Sequence, residues 1–228
     1  MIATVTGSLL GTLIGVRHAF EPDHLAAVST LVSEERGSGA TALLGVAWGV
    51  GHTISLVAVG LLVVVLRAQM PEGLSDIFEL GVACMLIGLG ARALVRAWRQ
   101  GAEGPARPHV HGGMAHRHRG PTAHVHIGRW TLARRPLLVG LVHGLAGSGA
   151  LTALVLASLP SAASRIIYMA LFGLGSTLGM AAMTGLLGWP LARMGRNPRT
   201  ARLVSATVGT LSACLGVAWG YPLAARMF

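Results

Sequence analysis

Residues 17–24 read RHAFEPDH, and they interrupt an apolar run that extends from VTGSLLGTLIGV before them to LAAVSTLV after them. Most of the stretch is ionisable: Arg17, His18, Glu21, Asp23 and His24. Where ionisable groups occur inside a membrane helix, they face the protein interior or a water-filled cavity and bind or relay something there. The stretch therefore predicts a buried polar site, and the rest of the chain decides its kind.

The composition is that of a membrane protein. The chain has 228 residues, of which 53% are hydrophobic and 11% charged, whereas a soluble domain carries about 25% charged residues. Several apolar stretches reach about twenty residues, the length that crosses a ~30 Å hydrocarbon core. We predict an all-α integral membrane protein with six transmembrane helices, near residues 2–32, 40–66, 77–95, 136–159, 166–187 and 203–223. Glycines 7, 11 and 15 form a stripe of small residues that favours close helix packing.

The basic residues indicate the orientation. All 18 are arginine, and they cluster between the apolar segments, as in cytoplasmic loops under the positive-inside rule. This pattern places both termini outside and the long polar loop in the cytoplasm. The net charge of +10 does not indicate nucleic-acid binding, because the basic loops alternate with spans and lack interleaved aromatic residues.

A weak internal repeat divides the chain into two halves. GVRHAFEPDHLAAV (15–28) aligns with GLVHGLAGSGALTA (140–153), and WGVGHT (48–53) aligns with FGLGST (172–177), at nearly equal offsets. An odd number of spans per copy reverses the second copy, which predicts an inverted 3+3 repeat with a site at the repeat interface. The predicted units are a first three-helix repeat (1–98), a His/Arg-rich loop (99–135) and a second three-helix repeat (136–228). The first His persists as His143, whereas Asp23, His24 and His52 match Ser148, Gly149 and Ser176.

The ionisable residues predicted within spans suit a transition metal. They include four histidines and an aspartate: His18, Asp23, His24, His52 and His143. Imidazole with one carboxylate suits Ni²⁺, Co²⁺, Zn²⁺ or Cu²⁺, whereas Mg²⁺ prefers oxygen ligands and water. On a straight helix His18 and His24 would lie about 120° apart, so a distortion at Pro22 or ligands from other spans must close the site. Interhelical hydrogen bonding remains the alternative role for His52 and His143.

Other residues are candidates for carrying a proton or supporting the ligands, namely Glu21, Arg17, Thr53 and Ser148. We expect Arg17 to pair with Glu21 or Asp23. Glu21 remains open between a ligand, a proton site and a partner of that arginine. Trp48 is interpreted as a packing residue.

Three motifs resemble a known family. HAFEPDH (18–24) resembles the signature of the nickel/cobalt transporter (NiCoT) family, WGVGHT (48–53) resembles its second motif, and GLVHGLAGS (140–148) resembles a later one. The short six-span branch of UreH-like (urease accessory) permeases is the most similar. The resemblance implies a secondary transporter of a bacterial plasma (inner) membrane, with His18, Asp23 and His24 as the essential metal-binding triplet and His52 near the path. Ni²⁺ or Co²⁺ is then the substrate, and no tightly bound cofactor is expected.

The long loop carries three H-x-H pairs: His109, His111, His116, His118, His124 and His126. Such tracts bind Ni²⁺ or Zn²⁺ loosely, and we expect a partly disordered segment. An importer could use it to receive metal and pass it to a cytoplasmic metallochaperone, a candidate partner. An exporter could use it to collect metal, and such a loop is more familiar from the family's efflux members.

Uptake of Ni²⁺ or Co²⁺ through the mid-membrane site is the leading hypothesis. Efflux by the same site is the first alternative, and an accessory protein that binds metal without moving it is the second. A membrane metallo-hydrolase would need a motif such as HExxH with a general base, and the sequence contains none. We therefore do not expect an enzyme.

Overall fold

The structure is a computed structural model. It describes residues 2–33, 38–66, 72–99, 109–111, 114–116, 124–127, 130–145, 159, 161–194 and 197–227. Seven helices occur in this part of the chain: α1 (Ile2–His18), α2 (Pro22–Val32), α3 (Ser38–Leu66), α4 (Glu72–Arg99), α5 (Arg134–His143), α6 (Ala162–Met194) and α7 (Pro198–Met227).

Four of these helices are long and apolar enough to cross a membrane. Their apolar spans are Thr41–Leu61, Gly73–Arg99, Ala163–Leu191 and Arg199–Met227, in α3, α4, α6 and α7. The prediction of a helical membrane protein is thereby confirmed. The predicted fourth span (136–159) begins with α5, and most of its remainder lies outside the described residues.

The predicted first span is two helices rather than one. Glu21 has an extended backbone (φ −65°, ψ 151°), and Pro22 follows as the first residue of α2. Proline disfavours helical geometry in the residue before it but suits the first position of a helix. The break therefore falls directly before Pro22, the residue at which the sequence predicts a distortion. Tight turns close the end of α1, since the amides of Phe20 and Glu21 donate to the carbonyls of Arg17 and His18 at 3.0 Å each.

Helix α6 packs on both α1 and α3 through small residues. Gly11 of α1 lies against Tyr168 and Gly15 against Ser176, so the contacts advance in the same direction and the two helices run parallel. The stripe predicted to permit close packing does so at these two glycines.

Helix α3 runs in the opposite direction to α6. Gly45 lies against Met180, while Gly173 lies against Thr53. Helix α5 lies parallel to α3, because Gly140 contacts Trp48 and Gly144 contacts His52, one turn further along both helices.

Helices α4 and α7 form an antiparallel pair whose ends differ in charge. Gly90 approaches Gly209 at one end, and Gly216 approaches Ala83 nearer the other. The basic residues therefore gather at the end formed by the last turn of α4 and the start of α7: Arg96, Arg99, Arg199 and Arg202. At the other end, Arg226 approaches Asp76 with an N–O distance of 3.8 Å.

The bundle buries a polar cluster within an apolar core and exposes many large apolar side chains. Its buried polar side chains include His18, Asp23, His24, His52 and His143, while many large apolar side chains, such as Leu186 and Leu203, are exposed. This distribution suits a lipid surround, because solvating ionisable groups in hydrocarbon is costly.

The loop between α4 and α5 contains two β-hairpins among its described residues. His109–His111 pairs antiparallel with Met114–His116, and His124–Ile127 pairs with Trp130–Ala133. These strands were not predicted from the sequence, and the expectation of a partly disordered segment stays a prediction.

Candidate metal centre

The break between α1 and α2 brings three of the predicted ligands together. His18 is the last residue of α1, and Asp23 and His24 lie in the first turn of α2. The ring centroids of His18 and His24 are 4.4 Å apart. Of the two alternatives that the sequence left open, the distortion at Pro22 occurs, and it removes the angular separation that a straight helix would impose.

His52 of α3 and His143 at the end of α5 complete the cluster. The ring of His52 lies 5.2 Å from that of His18 and 5.4 Å from that of His24. The ring of His143 lies 4.1 Å from that of His24. None of the five side chains is more than 4% exposed, so all five predicted residues share one buried site.

Glycines make this convergence sterically possible. A Cβ at Gly140 would lie 2.9 Å from the amide nitrogen of His52 and still closer to the carbonyl oxygen of Trp48. A Cβ at Gly144 would lie 2.9 Å from the Cα of His52. Since neither contact is tolerable for a real side chain, these two positions allow α5 to place His143 beside α3.

Asp23 joins two of the histidines. Its Oδ2 lies 2.7 Å from Nε2 of His143, and its Oδ1 lies 3.2 Å from Nδ1 of His24. A carboxylate that accepts from two ring N–H groups fixes the tautomer of both imidazoles. In that arrangement His24 keeps a lone pair on Nε2 and His143 keeps one on Nδ1.

Five other ring nitrogens of the cluster have no hydrogen-bond partner in the described residues. Within the described residues these buried, unpaired atoms are Nε2 of His18, Nε2 of His24, both nitrogens of His52 and Nδ1 of His143. Leaving one buried polar group unpaired costs about 1–3 kcal/mol, so several in one cluster require an explanation. A cation that accepts lone pairs from these imidazoles, one nitrogen from each, would satisfy most of them.

Two overlapping triads have ligand atoms close enough to hold an ion. The ligand atoms of His18, His24 and His52 lie within 4.8 Å of one another, as do those of Asp23, His24 and His143. His24 belongs to both triads. The donor set is imidazole-rich with one carboxylate, which is typical of sites for borderline divalent metals.

The supporting residues are placed differently from the expectation. Arg17 is exposed, and the ion pair expected between Arg17 and either carboxylate is absent from the described residues. Glu21 instead approaches Nδ1 of His18 at 3.0 Å, and Asp23 contacts His24 and His143. The Thr53 hydroxyl donates to the Gly173 carbonyl at 3.0 Å.

Some predicted residues cannot be placed against the cluster. Ser148 and His118 lie outside the described residues. The other loop histidines lie on the two hairpins: His109, His111, His116, His124 and His126.

Two aromatic residues beside the cluster were not predicted to belong to it. The ring of Trp48 lies 5.2 Å from His24 and 5.8 Å from His143, and Phe172 lies 5.5 Å from His18. The sequence did contain one sign that these two aromatic residues have equivalent places, since the repeat alignment matches Trp48 with Phe172. An apolar wall around a metal site limits water access and lowers the local dielectric constant.

Comparison with known proteins gives the family. Residues 6–193 match the model of NicO, described as high-affinity nickel-transport protein. The chain belongs to the NicO family. The resemblance read from the three motifs is thereby confirmed. Nickel is thus a transported substrate rather than a bound cofactor, and the NicO family comprises membrane transport proteins, not enzymes.

A curated relative agrees with this membership. The urease accessory protein UreH of Bacillus sp. (strain TB-90) is 30% identical over 215 residues, which cover 94% of this chain and 90% of the relative. No solved structure matches the chain significantly.

Proposed function

We propose that this NicO protein carries Ni²⁺ into the cell through the cluster of His18, Asp23, His24, His52 and His143. The observation that carries the proposal is the set of buried ring nitrogens without partners around one carboxylate. Similarity to a urease accessory protein favours uptake, because an accessory protein serves an enzyme inside the cell. Co²⁺ is the second candidate substrate, since the same ligands suit it.

The cluster has the properties that a transport site needs. Neutral imidazoles replace part of the hydration shell of the ion, and the single charge of Asp23 neutralises half of the charge of a dication. Incomplete neutralisation limits the affinity and permits release. A membrane potential that is negative inside drives a cation inward by about 2.3 kcal/mol per charge per 100 mV.

We further propose that the six-span chain is an inverted repeat that alternates access around this cluster. Equivalent glycines support this proposal. Gly15 of α1 approaches the Phe172 carbonyl and the Ser176 amide, while Gly140 of α5 approaches the Trp48 carbonyl and the His52 amide. The repeat alignment matches Gly15 with Gly140, Phe172 with Trp48 and Ser176 with His52. The two glycines therefore make equivalent contacts, one in each repeat.

The helix directions also support an inverted repeat. Helix α1 is parallel to α6, α5 is parallel to α3, and α3 is antiparallel to α6, so α1 and α5 run in opposite directions. The hydroxyl oxygens of Thr53 and Thr177, which are equivalent under the alignment, lie 3.1 Å apart. A contact between equivalent residues is what a two-fold axis between the repeats requires.

The proposed orientation puts both termini outside and the loop (99–135) in the cytoplasm of a bacterial cell, at the plasma (inner) membrane. The gathering of arginines at one end of α4 and α7 supports it through the positive-inside rule. The loop histidines would then receive metal leaving the site and offer it to a metallochaperone.

Efflux remains the second candidate, because a His-rich segment on the cytoplasmic side could also collect metal for export. The test is the nickel content of metal-loaded cells that express wild type, Asp23→Asn or an empty vector. Accumulation above the vector, lost in the mutant, is expected for uptake. Depletion below the vector, lost in the mutant, would establish efflux instead. Equal content in all three strains would contradict transport by this site.

Substrate preference is tested in the same cells. Excess unlabelled Ni²⁺ should suppress accumulation of radioactive nickel more strongly than equal Co²⁺. Stronger suppression by Co²⁺ would make cobalt the preferred ion.

A further inference from the structure

We propose that Glu21 is a positioning residue, which holds the ring of His18 so that its Nε2 faces the metal ion. On this assignment Glu21 neither binds the ion nor carries a proton. The inference rests on the proposed function, since it specifies how one ligand of that site is prepared.

The contact between Glu21 and His18 fixes the tautomer of the imidazole. Oε2 of Glu21 lies 3.0 Å from Nδ1 of His18, and a carboxylate can only accept, so Nδ1 carries the hydrogen. Nε2 then has the lone pair. That atom is buried and without a partner in the described structure, and His18 offers it to the triad with His24 and His52.

The position of Glu21 argues against direct ligation. Its side chain is 39% exposed, whereas none of the five residues of the cluster is more than 4% exposed. Neither triad of potential ligands in the described structure includes it. Glu21 also occupies the N-cap position of α2 without capping it by its side chain, so its carboxylate is directed to His18 instead.

The same device occurs on the other side of the break. Asp23 accepts from Nδ1 of His24 at 3.2 Å, and Nε2 of His24 is likewise left unpaired. Glu21 and Asp23, the two carboxylates of the sequence EPD, thus each contact Nδ1 of one histidine. In both histidines Nε2 is left free to bind the ion. Metal-binding imidazoles commonly donate their second N–H to a carboxylate, and loss of that partner typically weakens binding 10- to 100-fold.

The test compares Glu21→Gln with Glu21→Ala in the purified full-length protein. Glutamine keeps an oxygen that can accept from Nδ1 but removes the charge and the proton-carrying group, whereas alanine removes the acceptor. Glu79→Ala, which removes a carboxylate from α4, is the matched control. The readouts are Ni²⁺ affinity by calorimetry and the number of imidazoles bound to nickel by X-ray absorption.

We expect Glu21→Gln to bind Ni²⁺ within about threefold of wild type, and Glu21→Ala to bind about 10- to 100-fold more weakly with one fewer imidazole. Glu79→Ala should match wild type. Equal losses in the Gln and Ala variants would overturn the proposal, because they would mean that the charge itself is needed. Wild-type affinity in Glu21→Ala would overturn it as well.

A second comparison holds even if Glu21→Ala is poorly folded. In a His18→Ala background, Glu21→Gln and Glu21→Leu should have equal Ni²⁺ affinities, because Glu21 acts only through His18. A further loss in the Leu variant would overturn the proposal. Absence of any binding by wild type would overturn the proposed function and this inference with it, whereas the outcomes above overturn this inference alone.

Discussion

At the scale of the residue, the chemistry of the site depends on which nitrogen of each imidazole stays free. His24 contacts Asp23 through Nδ1, and His143 contacts the same carboxylate through Nε2. The sequence predicted that these residues share a site, because ionisable groups inside a membrane must face one another or a cavity. The predicted pairing of Arg17 with Glu21 or Asp23 does not occur within the described residues, because Glu21 lies in the break before Pro22 and its carboxylate approaches His18 instead.

Thr53 provides a prediction that separates packing from metal binding. Its hydroxyl donates to the Gly173 carbonyl of α6, so Thr53→Val removes an interhelical hydrogen bond that is worth about 0.6 kcal/mol in a membrane protein. We expect a slightly lower melting temperature and Ni²⁺ affinity within twofold of wild type, measured by thermal unfolding and calorimetry. The control is Thr210→Val, at an exposed position of α7. A tenfold loss of affinity in Thr53→Val would place Thr53 in the metal path.

At the scale of the element, the break between α1 and α2 is the feature that the sequence indicated best. Pro22 indicated a distortion, and the angular separation of His18 and His24 on a straight helix called for either that distortion or ligands from other spans. The spans that carry His52 and His143 were predicted, but the way their helices converge on the break could not be deduced from the sequence. Their convergence depends on contacts such as that of Gly140 with Trp48, which join residues far apart in the chain and leave no local periodicity.

The close contact of α5 with α3 can be tested by adding one methyl group. Gly140→Ala would place a Cβ against the Trp48 carbonyl and 2.9 Å from the His52 amide. Overpacking of this kind costs about 1–3 kcal/mol, so we expect a lower melting temperature and weaker Ni²⁺ binding. Gly81→Ala is the control, because a Cβ there meets nothing within 4 Å. Equal stability of the two variants would contradict the described packing of α5.

At the scale of the whole molecule, composition was sufficient to predict a helical membrane protein. The chain is 53% hydrophobic, and four described helices are long and apolar enough to span. Composition did not predict the hairpins of the loop, because short strand pairs depend on turn geometry rather than on overall polarity. The proposed duplication was indicated in the sequence by the alignments of 15–28 with 140–153 and of 48–53 with 172–177. The contact between the equivalent residues Thr53 and Thr177 needed the structure.

The loop should improve transport without forming part of the path. Deletion of residues 108–126 removes all six loop histidines but leaves the buried cluster intact. We expect a several-fold lower rate of nickel uptake at low external concentration and a normal rate at saturation, measured in cells at matched expression. A variant of the loop with every histidine replaced by asparagine is the control for loop length. Complete loss of transport in a well-inserted deletion would mean that the loop lies on the path.

The most direct test of the central claim is the flux of radioactive nickel into liposomes that contain purified wild type or Asp23→Asn. Asparagine keeps the shape of the side chain but removes the negative charge that neutralises half of the charge of the ion. It also replaces one of the two oxygens that contact His24 and His143 with an NH₂ group, which cannot accept from a ring N–H. We expect rapid flux in wild type and flux at the level of empty liposomes in Asp23→Asn, with both proteins equally folded and inserted. Wild-type flux in Asp23→Asn would contradict the assignment of the buried cluster as the transport site.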